Sequence, residues 1–425
     1  MASEDPFTGT PLAPPDSIFQ ITAAYKADTF EKKVNLGVGA YRDDDGKPWV
    51  LPVVKKVKAL LASDDSIDHE YLPITGLPSF TTASAKLIFG ENHKVIKEDR
   101  VASVQTISGT GANHLGALFL ARYYRPPGLP PHGGVKLYIS NPTWANHEPI
   151  FANVGISATK YPYYDPKTIA LDMKGFSKTL EEAPNHSIFL LHACAHNPTG
   201  VDPTPEQWKE LAEIFLRKKH FAFFDCAYQG FASGSLDNDA FSVRLFADLN
   251  VPMLVCQSYA KNAGLYGERI GCLNLIASTA GDGVGGKARL QSQLSVLSRV
   301  EISNPPTFGA RIVSKILNDP QLFEEWKRDV KEMADRIIWT RETLYNLLTQ
   351  KYQTPPLGDS GNWEHIRRQI GMFSFTGLNP EQVAVIVKKG HVYMTGNGRI
   401  SMAGLNTKNI EYVAECIDKA VRGTF

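Results

Sequence analysis

Four short apolar runs separated by helix-length stretches constrain this chain more than any other feature. They are Val135-Lys-Leu-Tyr-Ile-Ser140, Ser187-Ile-Phe-Leu-Leu-His192, Phe221-Ala-Phe-Phe-Asp225 and Pro252-Met-Leu-Val-Cys-Gln257. Between them lie helix-like segments such as Pro205–Lys218. Runs that are apolar throughout need cover on both faces, and strands alternating with helices build a mostly parallel sheet flanked by helices. The expected class is α/β. Ligands of such sheets bind beyond the carboxyl ends of the strands, so polar residues at strand exits are the ones to inspect.

From Gln321 the pattern changes. Leu322, Trp326, Val330, Met333, Ile337, Leu344 and Leu348 recur at spacings of three, four or seven, one apolar stripe on a long helix. Met372-Phe-Ser-Phe-Thr376, His391-Val-Tyr-Met-Thr395 and Arg399-Ile-Ser-Met402 then predict short strands around a helix. These make a smaller α/β domain, which the extended segment near Val34–Tyr41 joins. The expected division is an N-terminal arm over residues 1–15, rich in Pro, Thr and Gly, a small domain from 16–48 with 325–425, and a large domain over 49–324.

Charge and cysteine usage exclude some partners. Lys plus Arg number 45 against 44 Asp plus Glu, so no global field would hold nucleic acid or an anionic membrane. No run of 18 or more apolar residues exists, so no helical membrane span is expected. Five cysteines, none in a C-x-x-C pair and four in or beside apolar runs, read as buried free thiols of a reducing compartment. The N-terminal segment has no signal-type apolar stretch and no arginine before Tyr41, unlike a mitochondrial presequence. The expectation is a cytoplasmic protein.

Strand exits carry the chemistry. Ser258-Tyr-Ala-Lys261 follows the run ending at Gln257, and desolvation there would favour the neutral, nucleophilic amine of Lys261. Asp225 closes its apolar run and needs a positive or donor partner if buried; a pyridinium nitrogen would serve, and the hydroxyl of Tyr228 could reach the same ring. Ser108-Gly-Thr-Gly111 opens a helix-like stretch, a cradle of backbone N–H groups for an anion, to which Ser258 and Arg269 could add bonds. Asn197-Pro-Thr-Gly200 and Asn141-Pro-Thr-Trp144 follow two other strands. The Asn197 amide could bond a phenolic oxygen, and Trp144 could stack on a planar ring. Singly, each has a bland reading: a solvated lysine, a structural ion pair, a helix cap, a turn, a core tryptophan. Together at the exits of one sheet they describe a site for a phosphorylated aromatic aldehyde.

Longer strings at these positions resemble the aspartate aminotransferase family of pyridoxal-phosphate enzymes. They include Val34-Asn-Leu-Gly-Val-Gly-Ala-Tyr-Arg42, His69-Glu-Tyr-Leu-Pro73, His192-Ala-Cys-Ala-His-Asn-Pro-Thr-Gly200, Gln257-Ser-Tyr-Ala-Lys-Asn-Ala-Gly-Leu-Tyr-Gly-Glu-Arg269, Ser303-Asn-Pro-Pro306 and Gly371-Met-Phe-Ser-Phe-Thr-Gly377, and the match runs from about Pro14 to Val421. The resemblance implies pyridoxal 5'-phosphate carried on Lys261 as a Schiff base, a fold of that type, and exchange of amino groups between aspartate or glutamate and their oxo acids. It implies that Asp225 pairs with the ring nitrogen, Asn197 and Tyr228 with the phenolic oxygen, and Trp144 with the ring face. Ser108, Gly109, Thr110, Ser258 and Arg269 would hold the phosphate, helped by Tyr71 of a neighbouring subunit. Arg399 would grip the substrate α-carboxylate, Arg299 would reach across a homodimer to the distal one, and Gly39 lies in a segment that closes over substrate. It also implies cis bonds at Asn141-Pro142 and Asn197-Pro198. Gly281-Asp-Gly-Val-Gly-Gly286 looks like an insertion, and Asn113-His114 departs from the residues expected after the phosphate loop.

Three other readings stand beside this one. An aromatic aminotransferase could use the same core. A nicotinamide-dependent oxidoreductase would use Gly281–Gly286, which fits G-x-G-x-x-G but has no acidic residue about 20 positions on in a following strand. A non-catalytic binding protein would lack the lysine or Asp225, and both are present.

Overall fold

The apolar runs become the central layer of the computed structural model, which describes residues 6–14, 16–127, 136–357 and 361–425. Seven strands form one sheet: β1 (Val101–Ile107), β2 (Leu137–Asn141), β3 (Ala158–Pro162), β4 (Ile188–His192), β5 (Phe221–Cys226), β6 (Met253–Ser258) and β7 (Ile270–Ile276). Their order is β1-β7-β6-β5-β4-β2-β3. Only β7 runs against its neighbours; the other pairs are parallel. The run expected to start at Val135 enters the sheet at Leu137, and Val135 itself lies outside the described residues.

Every residue of β4, β5 and β6 is buried. The period of two splits them between two cores. Phe189, Leu191, Ala222, Phe224, Met253 and Val255 pack on one face, and Ile188, Leu190, Phe221, Phe223, Leu254 and Cys256 on the other. All five cysteines are free and buried.

Five helices matter for the site. They are α1 (Ser17–Ala27), α2 (Ser108–Tyr123), α3 (Pro205–Lys218), α4 (Lys287–Ile302) and α5 (Pro320–Asn346). The start of α3 is written locally: the Thr204 hydroxyl accepts from the Gln207 N–H, the Gln207 side chain returns the bond, and Pro205 sits where no N–H is needed. In α5 the expected stripe is buried from Leu322 to Leu344, and Leu348 is buried in the π-turn that follows. Around this helix Val34–Asn35 pairs in parallel with Val392–Tyr393, and Phe373–Phe375 pairs antiparallel with Arg399–Ser401. These are separate two-stranded ladders, shorter than the sequence runs, because turns at Thr395–Gly398 and after Thr376 take the flanking residues. Residues 6–14 hold a turn at Phe7–Thr10 and no helix or strand; the rest of the expected arm lies outside the described residues.

Two facts follow from topology. The carboxyl ends of β1, β2, β4, β5 and β6 fall along one edge of the sheet, and antiparallel β7 begins there, directly after Arg269. The Gly281–Gly286 loop follows the other end of β7, beside Arg100 at the entrance of β1. It therefore lies at the edge opposite the strand exits. Among the described residues no helix is long and apolar enough to cross a membrane.

Candidate active site

Strand exits converge on a cavity of about 240 Å³ lined by Ser108, Gly109, Thr110, Trp144, Asn197, Asp225, Tyr228, Ser258, Lys261 and Arg269, together with Asn113, His192 and Ala227. A second cavity of about 750 Å³ shares Trp144, Asn197, Tyr228 and Lys261 with it and adds Gly37, Gly39, Phe373, Asn397 and Arg399. One chamber thus opens into the other across Lys261.

One end of the first cavity is built for an anion. Helix α2 begins directly at Ser108, so the N–H groups of its first turn have no helical partner. Ser108 and Arg269 both hold left-handed backbone, φ 60° and 54°, a conformation costly for non-glycine residues and found where a site fixes it. The strain is held by Ser108 N donating to Arg269 O at 3.1 Å, and by Gly271, where a Cβ would meet Ser108 O at 2.6 Å. A Cβ on Gly109 would lie 3.0 Å from Ser258 Cβ, so the two segments close around the cradle only with glycine there. The Ser108 and Ser258 hydroxyls stand 3.2 Å apart.

The other end carries the buried carboxylate. Asp225 Oδ2 accepts from His147 Nε2 at 3.0 Å, while Oδ1 is buried and has no hydrogen-bond partner among the described residues. Burial would raise the Asp225 carboxyl, but the hydrogen bond from His147 and the nearby Lys261 amine hold it below the ordinary value. A buried anionic oxygen with no donor, on a residue that lines the cavity, calls for a cationic N–H partner.

Behind Asp225 a relay of one polarity runs through side chains that sequence reasoning missed. Asn197 N–H points at His192 Nδ1 (3.4 Å), His192 Nε2 at Thr143 Oγ1 (3.3 Å), Thr143 Oγ1 at His147 Nδ1 (2.8 Å), and His147 Nε2 at Asp225. Every link is satisfied if each imidazole donates from Nε2 and accepts at Nδ1, an assignment made from the network itself. Burial, against the charge of Asp225, lowers His192 to about 3, which keeps its ring neutral. The missed signal was in part local: Thr143 and His147 lie four residues apart after the Asn141-Pro142 turn. Both expected cis bonds, Asn141-Pro142 and Asn197-Pro198, are present.

Lys261 is half-buried, with Nζ 5.3 Å from the centre of the Tyr228 ring. Burial lowers its ammonium, with Asp225 opposing and Arg269 reinforcing the shift. Burial raises the Tyr228 phenol, against the charge of Arg399. Trp144 meets His147 edge-on, 5.2 Å between ring centres, which holds the indole at the cavity wall.

Arg399 is buried and lowered by that burial, with Tyr228 opposing. Its Nη2 donates to Gly37 O at 2.7 Å and its guanidinium lies 4.4 Å over the Phe373 ring, while Nε has no partner among the described residues. Phe373 is fixed by a cation that the sequence did not flag: buried Arg341 donates to the carbonyls of Ile366, Gly371 and Phe373 at 3.0, 2.8 and 2.6 Å.

Two expected residues stand outside both cavities. Tyr71 is 81% exposed, and exposed Arg299 donates to Ser303 Oγ and Asn304 Oδ1 at 2.6 and 3.3 Å. Asn304 Nδ2 in turn donates to Leu72 O at 2.6 Å, so the two residues belong to one surface.

Comparison with known proteins agrees with this geometry. The family described as aminotransferase class I and II matches residues 31–417. The chain is 50% identical over 416 residues to a cytoplasmic aspartate aminotransferase of Schizosaccharomyces pombe, covering 98% of each chain. A solved aspartate aminotransferase from Saccharomyces cerevisiae cytoplasm superposes with a TM-score of 0.91 at 48% identity over 99% of both chains. An aromatic amino acid aminotransferase from Burkholderia cenocepacia superposes at 0.90, with 35% identity over 99% of this chain and 100% of that one. The chain belongs to the class I and II aminotransferases.

Proposed function

We propose that the protein is an aspartate aminotransferase, moving the amino group of L-aspartate to 2-oxoglutarate to give oxaloacetate and L-glutamate, with pyridoxal 5'-phosphate carried on Lys261. The observation that carries this reading is a pair of adjoining cavities with Lys261 at their shared wall, one lined by the buried carboxylate of Asp225 and the other by the buried guanidinium of Arg399. The residues fit the cofactor: an anion cradle at one end, an orphan carboxylate oxygen at the other, an indole at the wall. When bound, the cofactor supplies an electron sink for the pair left at the substrate Cα.

The chain does the rest. Ser108, Gly109, Thr110, Ser258 and Arg269 hold the phosphate, and Asn197 and Tyr228 bond the phenolic oxygen. Asp225 keeps a proton on the ring nitrogen, and the His147 relay fixes the carboxylate in place. Arg399 binds the α-carboxylate as a planar fork, which a lysine would match less well. With the cofactor bound, the desolvated amine of Lys261 would stand beside the substrate Cα as the base that takes its proton, and holding the base at that atom would supply much of the rate. The segment of Gly39 closes against Phe373 and excludes water.

The distal carboxylate requires a second chain. Arg299 and Tyr71 share a surface with exposed Val296 and Val300, 51% and 74% exposed, which suits an apolar contact between two copies. We therefore read the protein as a homodimer with Arg299 and Tyr71 serving the neighbouring site, and as the cytoplasmic type. We also retain the division into 16–48 with 325–425 against 49–324. Relatives at 48–50% identity carry the dicarboxylic name and the aromatic enzyme lies at 35%, which favours aspartate over phenylalanine.

Borohydride reduction of the purified protein followed by peptide mapping tests the core. A pyridoxyl adduct on Lys261, a visible band that changes on adding aspartate, and faster turnover on aspartate than on phenylalanine are expected. No adduct on that side chain would end the reading, and faster turnover on phenylalanine would move it to the aromatic class.

A further inference from the structure

Asn197 lines both cavities, yet none of the hydrogen bonds among the described residues uses its side chain, so its aim is set by the backbone that carries it. That backbone has left the sheet. Strand β4 ends at His192, and Ala193 N makes a last bond to its neighbour, Asp225 O, at 2.9 Å. Two later donors turn to one carboxylate: Asp202 Oδ2 accepts from Ala195 N at 2.6 Å and Oδ1 from His196 N at 2.8 Å. Asp202 itself lines neither cavity.

This clamp acts on backbone that would otherwise relax. Ala195 holds a left-handed conformation, φ 50°, which is costly for a residue with a Cβ. His196 follows it and is pinned on three sides: Nε2 stands 2.9 Å from Ser140 Oγ, Nδ1 2.8 Å from Thr199 Oγ1, and the ring stacks on Tyr163 with 4.0 Å between centres. Tyr163 also donates to Val201 O at 2.7 Å, which fixes the residue before Asp202. Gly200 N returns to His196 O at 2.7 Å and closes the turn around Asn197. Hydrogen bonds to a charged acceptor are about twice as strong as neutral ones, so the two bonds to Asp202 are the strong ties of this turn.

We propose that Asp202 is a positioning residue for Asn197: from outside the site, its carboxylate holds the turn so that the Asn197 amide faces the phenolic oxygen of bound pyridoxal 5'-phosphate. The inference rests on the pyridoxal-phosphate reading above. It requires that Asp202 matter to the cofactor only through the Asn197 amide.

A double-mutant cycle on the loaded protein tests it. The readout is the ratio of the protonated to the unprotonated visible band at one fixed pH well above 6, where the Asp202 carboxyl, raised by burial to about 6, is charged. A donor on the phenolic oxygen favours its ionised form, so loss of that donor favours the protonated band. Asp202→Asn, which keeps the size and one acceptor, should raise the ratio about tenfold, and Asn197→Ala at least as much. Adding Asp202→Asn to Asn197→Ala should change the ratio by less than about twofold. Asp202→Ala takes the place of the asparagine variant in the cycle should that variant fail to fold. An unchanged ratio in the Asp202 variant, or an equal rise with and without the Asn197 amide, would make Asp202 a residue of general stability and overturn the proposal. Failure of the parent itself to bind pyridoxal 5'-phosphate would instead remove the functional reading on which it rests.

Discussion

The two chambers of the site are made differently. The smaller one is assembled from strand ends: His192, Asp225 and Ser258 lie at the ends of buried strands locked by ladder bonds on both sides, and Ile107 ends the edge strand β1, paired along its length with β7. The larger one is walled by α1, the 37–39 segment, the 373 strand and the 395–399 turn, elements of two or three ladder residues or none. A group that must keep its angle through the reaction sits where the backbone cannot move. Groups that recognise and release substrate sit where it can. Lys261 stands at the shared wall and serves both.

The sharpest test of this division separates the chambers kinetically. Asp225→Asn keeps the shape but removes the charge that holds a proton on the ring nitrogen. A buried charge pair broken on one side costs about 3–4 kcal/mol, so kcat should fall roughly 10²–10³-fold with KM for aspartate little changed. Loss of KM with kcat intact would mean that the carboxylate belongs to recognition. Arg399→Lys tests the other chamber. It should lower kcat/KM for aspartate by about 10²-fold through loss of the planar fork, while the visible spectrum of the resting protein stays that of the parent. A changed spectrum would show that the chambers are not independent.

The same contrast explains what could be read in advance. Strand exits were legible because each buried run is bounded by a polar residue, and the run itself names the strand: Phe221-Ala-Phe-Phe-Asp225 needs no tertiary knowledge. The relay from Asn197 to Asp225 was not, because its links join β4, the turn after β2 and the end of β5, partners that only the sheet order brings together. Arg341 was invisible for a similar reason. An arginine on an amphipathic helix reads as exposed, and only the fold wraps three carbonyls around it. Tyr71 and Arg299 came from resemblance alone, since neither lines either of the two cavities of the site.

A smaller effect probes the moving wall. A Cβ on Gly39 would lie 2.8 Å from Phe373 Cζ, and that ring is backed by the carbonyls on Arg341. Gly39→Ala should therefore hinder closure at an overpacking cost of about 1–2 kcal/mol, raising KM for aspartate roughly tenfold and leaving the cofactor dissociation constant unchanged. An unchanged KM would mean that the ring gives way freely.

The mildest test concerns the rigid wall and is read in stability against pH. The His192 ring falls from 6.5 to about 3 on folding, chiefly through burial, so the unfolded chain binds the proton more readily. Its contribution is intact above pH 6.5 and is lost as pH falls from there towards 3. Asp202 acts in the opposite sense: burial, against bonds from the His196 and Ala195 N–H groups and with the charge of Asp239, raises it from 3.8 to about 6. Its contribution is complete below pH 3.8 and is lost as pH rises through 6. Between pH 4 and 6 the two oppose each other, so the parent should lose thermal stability only gradually. His192→Asn removes the first slope and keeps the second, and its midpoint should fall less steeply, or rise, over that interval. Parallel curves for parent and variant would mean that His192 accepts its proton inside the folded protein, and the neutral relay that orients Asp225 would have to be abandoned.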